Sequence, residues 1–189
     1  NLKPEHGLTE MHMDMSGGAA VVHTIAALAR MGVRKNIVGL VPAVENMLSG
    51  SSYRPHDVLK TMSGKTIEIL NTDAEGRVIL ADALTYAKRY RPRLIVDVAT
   101  LTGAAMAARG QRASALFATD ERIAERLRAI GEETGDFVWP LPLWEEYEDE
   151  VKGTVGDVQN VGKTRYGGAI TGAVFLWLFI KEPMAIGDL

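Results

Sequence analysis

Residues 69–84 read ILNTDAEGRVILADAL. An apolar, β-rich stretch, Thr66 to Leu70, leads into this segment, and a run with helical spacing leads out of it. Between them Asp73 and Glu75 stand two positions apart across one small residue, and Gly76 and Arg77 follow at once. A strand, a tight acidic turn and a helix in succession form the repeating unit of α/β folds. On an extended turn, side chains two apart project to the same side, so the two carboxylates can converge on one point. Converging carboxylates repel each other and lose solvation, and a divalent cation resolves both problems. Hard carboxylate oxygens suit Mg²⁺ and Mn²⁺, and Zn²⁺ accepts them. Arg77 adds a permanent positive charge that can grip an anion in a fork. The competing reading is an exposed turn with a helix-initiating Glu and a solvated Arg, and D-x-E alone favours it.

Working outward, residues 16–31 have helical spacing, and Gly32 follows as a stop. The run NIVGLVPAV, 36–44, predicts a buried strand, and 45–63, rich in Gly, Ser and Pro, predicts a long loop. KTIEIL, 65–70, predicts a strand, 77–90 a helix ended by Pro92, and 93–101 another buried strand. ASALFAT, 113–119, is a strand candidate. The stretch 120–135 is a helix with Asp120 near its start, and DFVWPLPL is extended. GGAITGAVFLWLFIK, 167–181, is apolar nearly all round, so it is a buried helix. Trp139, Trp144 and Trp177 are expected in the core or at an interface. Strands that are continuous apolar runs, alternating with helices, predict a three-layer α/β/α sandwich with a mixed, mostly parallel central sheet. Ligands bind such sheets at the carboxyl ends of the strands, where the Asp73–Glu75 turn falls.

The 189 residues carry a formal net charge of −3 and no cysteine. Thiolate metal sites and disulfide frameworks are therefore excluded, and a reducing, cytoplasmic compartment is expected. The charge does not suit a nucleic-acid surface. No apolar run is long enough for a membrane span. The four histidines show no H-x-x-x-H pairing. There is no nucleophile elbow and no phosphate loop. Asp14, in MHMDMSGG, reads as a helix cap or a ligand, with the cap favoured from that stretch alone. Asp97, inside an apolar strand, needs a backbone or cation partner.

The stretch NTDAEGRVILADAL resembles the signature of the leucine (cytosol) aminopeptidase family. KPEHGLTEMHMDMSGGAAV, the loop and strand before the signature, DVATLTGA and GGAITGAVFL resemble further family blocks in the same order. The resemblance implies a two-metal exopeptidase using Zn or Mn. Asp14, Asp73 and Glu75 would be metal ligands, with Glu75 bridging both ions. Lys3 would be the catalytic lysine, and Arg77 would hold a bicarbonate serving as proton shuttle. Met11 and Thr100 would wall the pocket for the substrate's first side chain, while Leu101 and Gly103 would hold substrate through their backbone. Peptide substrates, a leucine-like preference and a homo-hexamer are implied as well. A regulatory or DNA-binding scaffold and an inactive truncated paralogue are the competing readings. The family's G-K-G…F-D-S-G-G segment, its C-terminal H-L-D-I-A-G segment and its N-terminal domain have no counterpart in the chain. Residues 1–189 are therefore expected to be an incomplete catalytic domain, active in the complete chain.

Overall fold

The computed structural model describes residues 9–181 and 184–188. A 3₁₀ turn, Met11–Met15, opens into α1 (Ser16–Arg30), and β1 (Val58–Lys60) and β2 (Thr66–Glu68) follow a long irregular segment. Then come α2 (Glu75–Ala87), β3 (Ile95–Ala99), α3 (Ala104–Arg109), β4 (Ser114–Ala118), α4 (Glu121–Thr134) and β5 (Val138–Pro140). A 3₁₀ turn (Glu145–Val151), β6 (Val158–Gln159), α5 (Gly168–Ile180) and β7 (Met184–Asp188) complete the order. Among the described residues no helix is long and apolar enough to cross a membrane.

Two sheets result. One has the order β1-β2-β6, with β2 antiparallel to β1 and parallel to β6. The other has the order β3-β7-β4-β5, with β7 parallel to β3 and antiparallel to β4, and β5 parallel to β4. The period-two alternation of β4 divides its side chains between two layers. Ala115 and Phe117 join Ile186 and the buried face of α5 in the main core. Leu116 and Ala118 pack against Ile123, Ala124 and Leu127 of α4 on the other side. Helices thus cover both faces of a mixed sheet, as expected.

Local chemistry explains most of the elements. Asp120 caps α4, its Oδ1 accepting from the Arg122 N–H at 2.9 Å. Helix α5 buries nine of its thirteen residues, among them Phe175, Leu176 and Ile180. Each such side chain contributes about 2 kcal/mol on burial, so this helix organises the core.

Several expectations are corrected. Residues 36–44 form no strand: they lie along α1, with Gly39 beside Val21 and Ile25, and Val38 is 52% exposed. β-propensity favours an extended chain but cannot supply the neighbouring backbone that a strand must pair with. The segment MAIGD, for which no element is expected from the sequence, forms the strand β7 between β3 and β4. The long loop 45–63 contains β1. Of the tryptophans, Trp177 packs against the core as expected, while Trp139 and Trp144, 55% and 59% exposed, fit only the interface half of that expectation.

Candidate functional site

The acidic turn forms where β2 ends. Ile67, Glu68 and Ile69 are buried, and the chain then leaves the sheet. Side-chain amides shape the turn. Asn71 Oδ1 accepts from the Asp73 N–H at 2.9 Å, an Asx turn. Asn46 Nδ2, from the long loop, donates to Thr72 O at 3.0 Å. Asn160, just past β6 and wholly buried, accepts from the Leu70 N–H and donates to Asn71 O. Asp73 stands exposed on this turn, and Glu75 is half-buried as the first residue of α2.

Arg77, one helical step further, turns inward and is only 7% exposed. Its Nη1 donates to Asn160 O at 3.0 Å. Gly172 of α5 lies alongside it: a Cβ there would make an ordinary contact with Arg77 Nη2 at 3.5 Å and a tight one with Leu101 Cδ2 at 3.1 Å. The start of α2 and the connection from β3 to α3 therefore meet across α5. Tyr53 lies near Glu75. Its phenol pKa is pushed above the ordinary value by burial, and further by the Glu75 charge.

A second group gathers at the carboxyl end of β3. Thr100 Oγ1 donates to Asp14 O at 2.8 Å. This ties the 3₁₀ turn carrying Met11 and Asp14 to the strand end. Gly17 makes the approach feasible, because any Cβ there would run into Val98 O and lie 2.9 Å from Ala99 Cα. Leu101 and Gly103 lie on the connection that follows, with Gly103 as the residue before α3. Asp14 is exposed and does not cap α1, whose N-terminus has no side-chain cap. Asp97 is buried within β3. Lys3 lies outside the described residues.

The chemistry of Asp73 and Glu75 fits a hard divalent cation. Their number falls short: among the described residues, no three Asp, Glu or His side chains are gathered closely enough to hold a metal ion. The structure thus ties Asp14 to Thr100 and carries Asp73, Glu75 and Arg77 on one turn and helix start, without gathering the three carboxylates into one group among the described residues. A cleft of about 670 Å³ opens at the amino ends of β2 and β6, lined by Lys65, Lys152, Glu148 and Asp157. It contains none of the predicted site residues. Sequence reading missed Asn46, Tyr53, Asn71 and Asn160. The N-T-D order could have signalled the Asx turn, but Asn160 has no local signature, because its partners lie some ninety positions away along the chain.

A family profile described as "Cytosol aminopeptidase family, catalytic domain" matches residues 1–187. A probable cytosol aminopeptidase of Azoarcus sp. (strain BH72) is 53% identical over 181 residues, covering 96% of this chain and 36% of the relative. A probable cytosol aminopeptidase of Roseiflexus castenholzii is 51% identical, with 96% and 37% covered. The chain thus spans little more than a third of the length of the curated relatives it matches. The crystal structure of cytosol aminopeptidase from Coxiella burnetii superposes with a TM-score of 0.91 at 42% identity, over 100% of this chain and 42% of that one. A mutant of tomato leucine aminopeptidase superposes with a TM-score of 0.86 at 41% identity, over 94% and 36%.

Proposed function

The chain belongs to the cytosol aminopeptidase family, and from that premise we propose that the protein is a two-metal aminopeptidase removing N-terminal residues, leucine-like ones preferred, from peptides. The observation that carries this reading is the Asp73–Glu75 turn at the carboxyl end of β2, backed by the inward-turned Arg77. Asp73 and Glu75, with Asp14, would contribute ligands to divalent ions, Zn or Mn. The remaining donors would come from other residues of the complete protein, consistent with relatives of greater length. When bound, such ions supply Lewis acidity near neutral pH.

The chain's own residues do the rest. Arg77, with most of its surface out of water, presents a fixed positive charge on which an anion such as bicarbonate can rest. An anion held there accepts a proton from the attacking water and returns it to the leaving amine. Lys3, on the family resemblance, stabilises the oxyanion. On the family resemblance, Met11 and Thr100 would wall the pocket for a leucine-like side chain, and the backbone of Leu101 and Gly103 would hold the peptide. A cytoplasmic location and homo-hexameric assembly belong to the same proposal.

Chelation tests it. Exhaustive removal of divalent metal from the complete natural protein is expected to abolish hydrolysis of leucine amides, and Zn²⁺ or Mn²⁺ to restore it. Hydrolysis that persists unchanged without metal would overturn the reading.

A further inference from the structure

We propose that Asn160 is the positioning residue of the acidic turn: its carboxamide fixes the backbone carrying Asp73 and Glu75, and its carbonyl seats Arg77. The inference rests on the aminopeptidase reading for its consequence, though not for its geometry.

Asn160 is wholly buried, one residue beyond the short parallel pair of β2 and β6. Its N–H donates to Glu68 O at 3.1 Å, the backbone bond that follows the β2–β6 pair. The side chain then continues the ladder where backbone no longer can. Oδ1 accepts from the Leu70 N–H at 2.8 Å and the Asn71 N–H at 3.2 Å. Nδ2 donates to Asn71 O at 2.6 Å and Ala74 O at 3.4 Å. A carboxamide has two acceptor sites and two donors, and all four are used. Two N–H groups on one side and two carbonyls on the other allow only this orientation of the amide. The bonded backbone, 70–74, leads into and contains Asp73 and ends immediately before Glu75. The carbonyl of the same residue accepts from Arg77 Nη1 at 3.0 Å. One side chain and its own peptide thus set the carboxylates and the guanidinium relative to each other. Aspartate matches the shape but has no donor for Asn71 O and Ala74 O, and alanine has neither half.

The test uses Asn160→Asp and Asn160→Ala in the complete natural protein. Val174→Ala serves as control, since it trims the same core and takes no part in the hydrogen bonds between Asn160 and the turn. The expected result is a fall in kcat on a leucine amide of about tenfold or more, with KM changed by less than about threefold. Mn²⁺ affinity, measured by calorimetry, should weaken, and amide hydrogen exchange at Leu70 and Asn71 should accelerate. Val174→Ala should lose thermal stability and keep kcat. A folded Asn160→Asp protein with unchanged kcat, Mn²⁺ affinity and exchange would overturn the inference while wild-type activity left the aminopeptidase reading standing. Failure of both variants to fold would make Asn160 a residue of the core rather than of the turn, and would overturn it too. A wild-type protein that hydrolyses no leucine amide with metal supplied would remove the aminopeptidase reading and this inference with it.

Discussion

Glu75 and Arg77 occupy the same helical turn yet are built for different work. Glu75 is half-buried at the helix start, where its oxygens can reach a cation. Arg77 turns inward, against Asn160 and α5, and its Nη1 donates to a main-chain carbonyl. Lysine in its place would keep the charge and lose the planar fork. Arg77→Lys is therefore expected to lower kcat by about ten- to a hundredfold while the protein retains its metal. Glu75→Ala should lose metal and activity together. Metal analysis beside kcat distinguishes them, and a metal loss in Arg77→Lys as large as in Glu75→Ala would show that Arg77 is misassigned. Asp73 belongs with Glu75 in this comparison.

The junction of α1 with β3 depends on the absence of a side chain at Gly17, which lies against the backbone of Val98 and Ala99. Gly17→Ala must push helix and strand apart, at a cost of about 1–3 kcal/mol. Because Thr100 is bonded to Asp14 O across this junction, the displacement should also lower activity. A lower melting temperature with undiminished kcat would show that the Asp14 group does not need this packing. The loop before β6 hangs on Glu68 instead. Its Oε2 accepts from the Thr154 and Val155 N–H groups at 2.8 and 3.0 Å. These bonds, Val155's first and Thr154's next, hold the Glu68 carboxyl below the usual carboxylate range. With the folded pKa below the unfolded value, the unfolded chain binds more protons between the two. The contribution is then complete above the unfolded value, about 4.3, and is lost as pH falls toward the folded one. Asp157, held low by the Thr66 N–H and hydroxyl, adds to the same trend. Glu68→Gln should accordingly flatten the acid side of the stability profile, as read by urea unfolding at a series of pH values from neutrality downward. An unchanged acid slope would contradict the assignment.

Taken as one body, the described residues leave much apolar surface uncovered. Val44, Met47 and Leu48 are 64%, 69% and 62% exposed, and β3 is the end strand of its sheet among the described residues. Exposed apolar patches and unpaired strand edges promote association. A polypeptide of these residues alone is expected to self-associate in sedimentation velocity and to bind metal weakly in titration, since its described carboxylates form no group of three. A monodisperse monomer holding two ions tightly would contradict both arguments. Much of the molecule was nonetheless readable before any coordinates. The turn at Asp73–Glu75, the helices α2, α4 and α5 and the strands β3 and β4 follow from periodicity, capping and turn chemistry, which operate over a few residues at a time. Three features were not readable in this way. The run 36–44 has a strand's composition without a strand's neighbour. Residues 184–188 became the middle of a sheet although nothing in MAIGD marks them as central. Asn160 clamps a turn that the chain left ninety positions earlier. Each of these depends on which distant backbone arrives alongside, because a strand or a buried amide completes its hydrogen bonds only with groups that the folded chain brings to it.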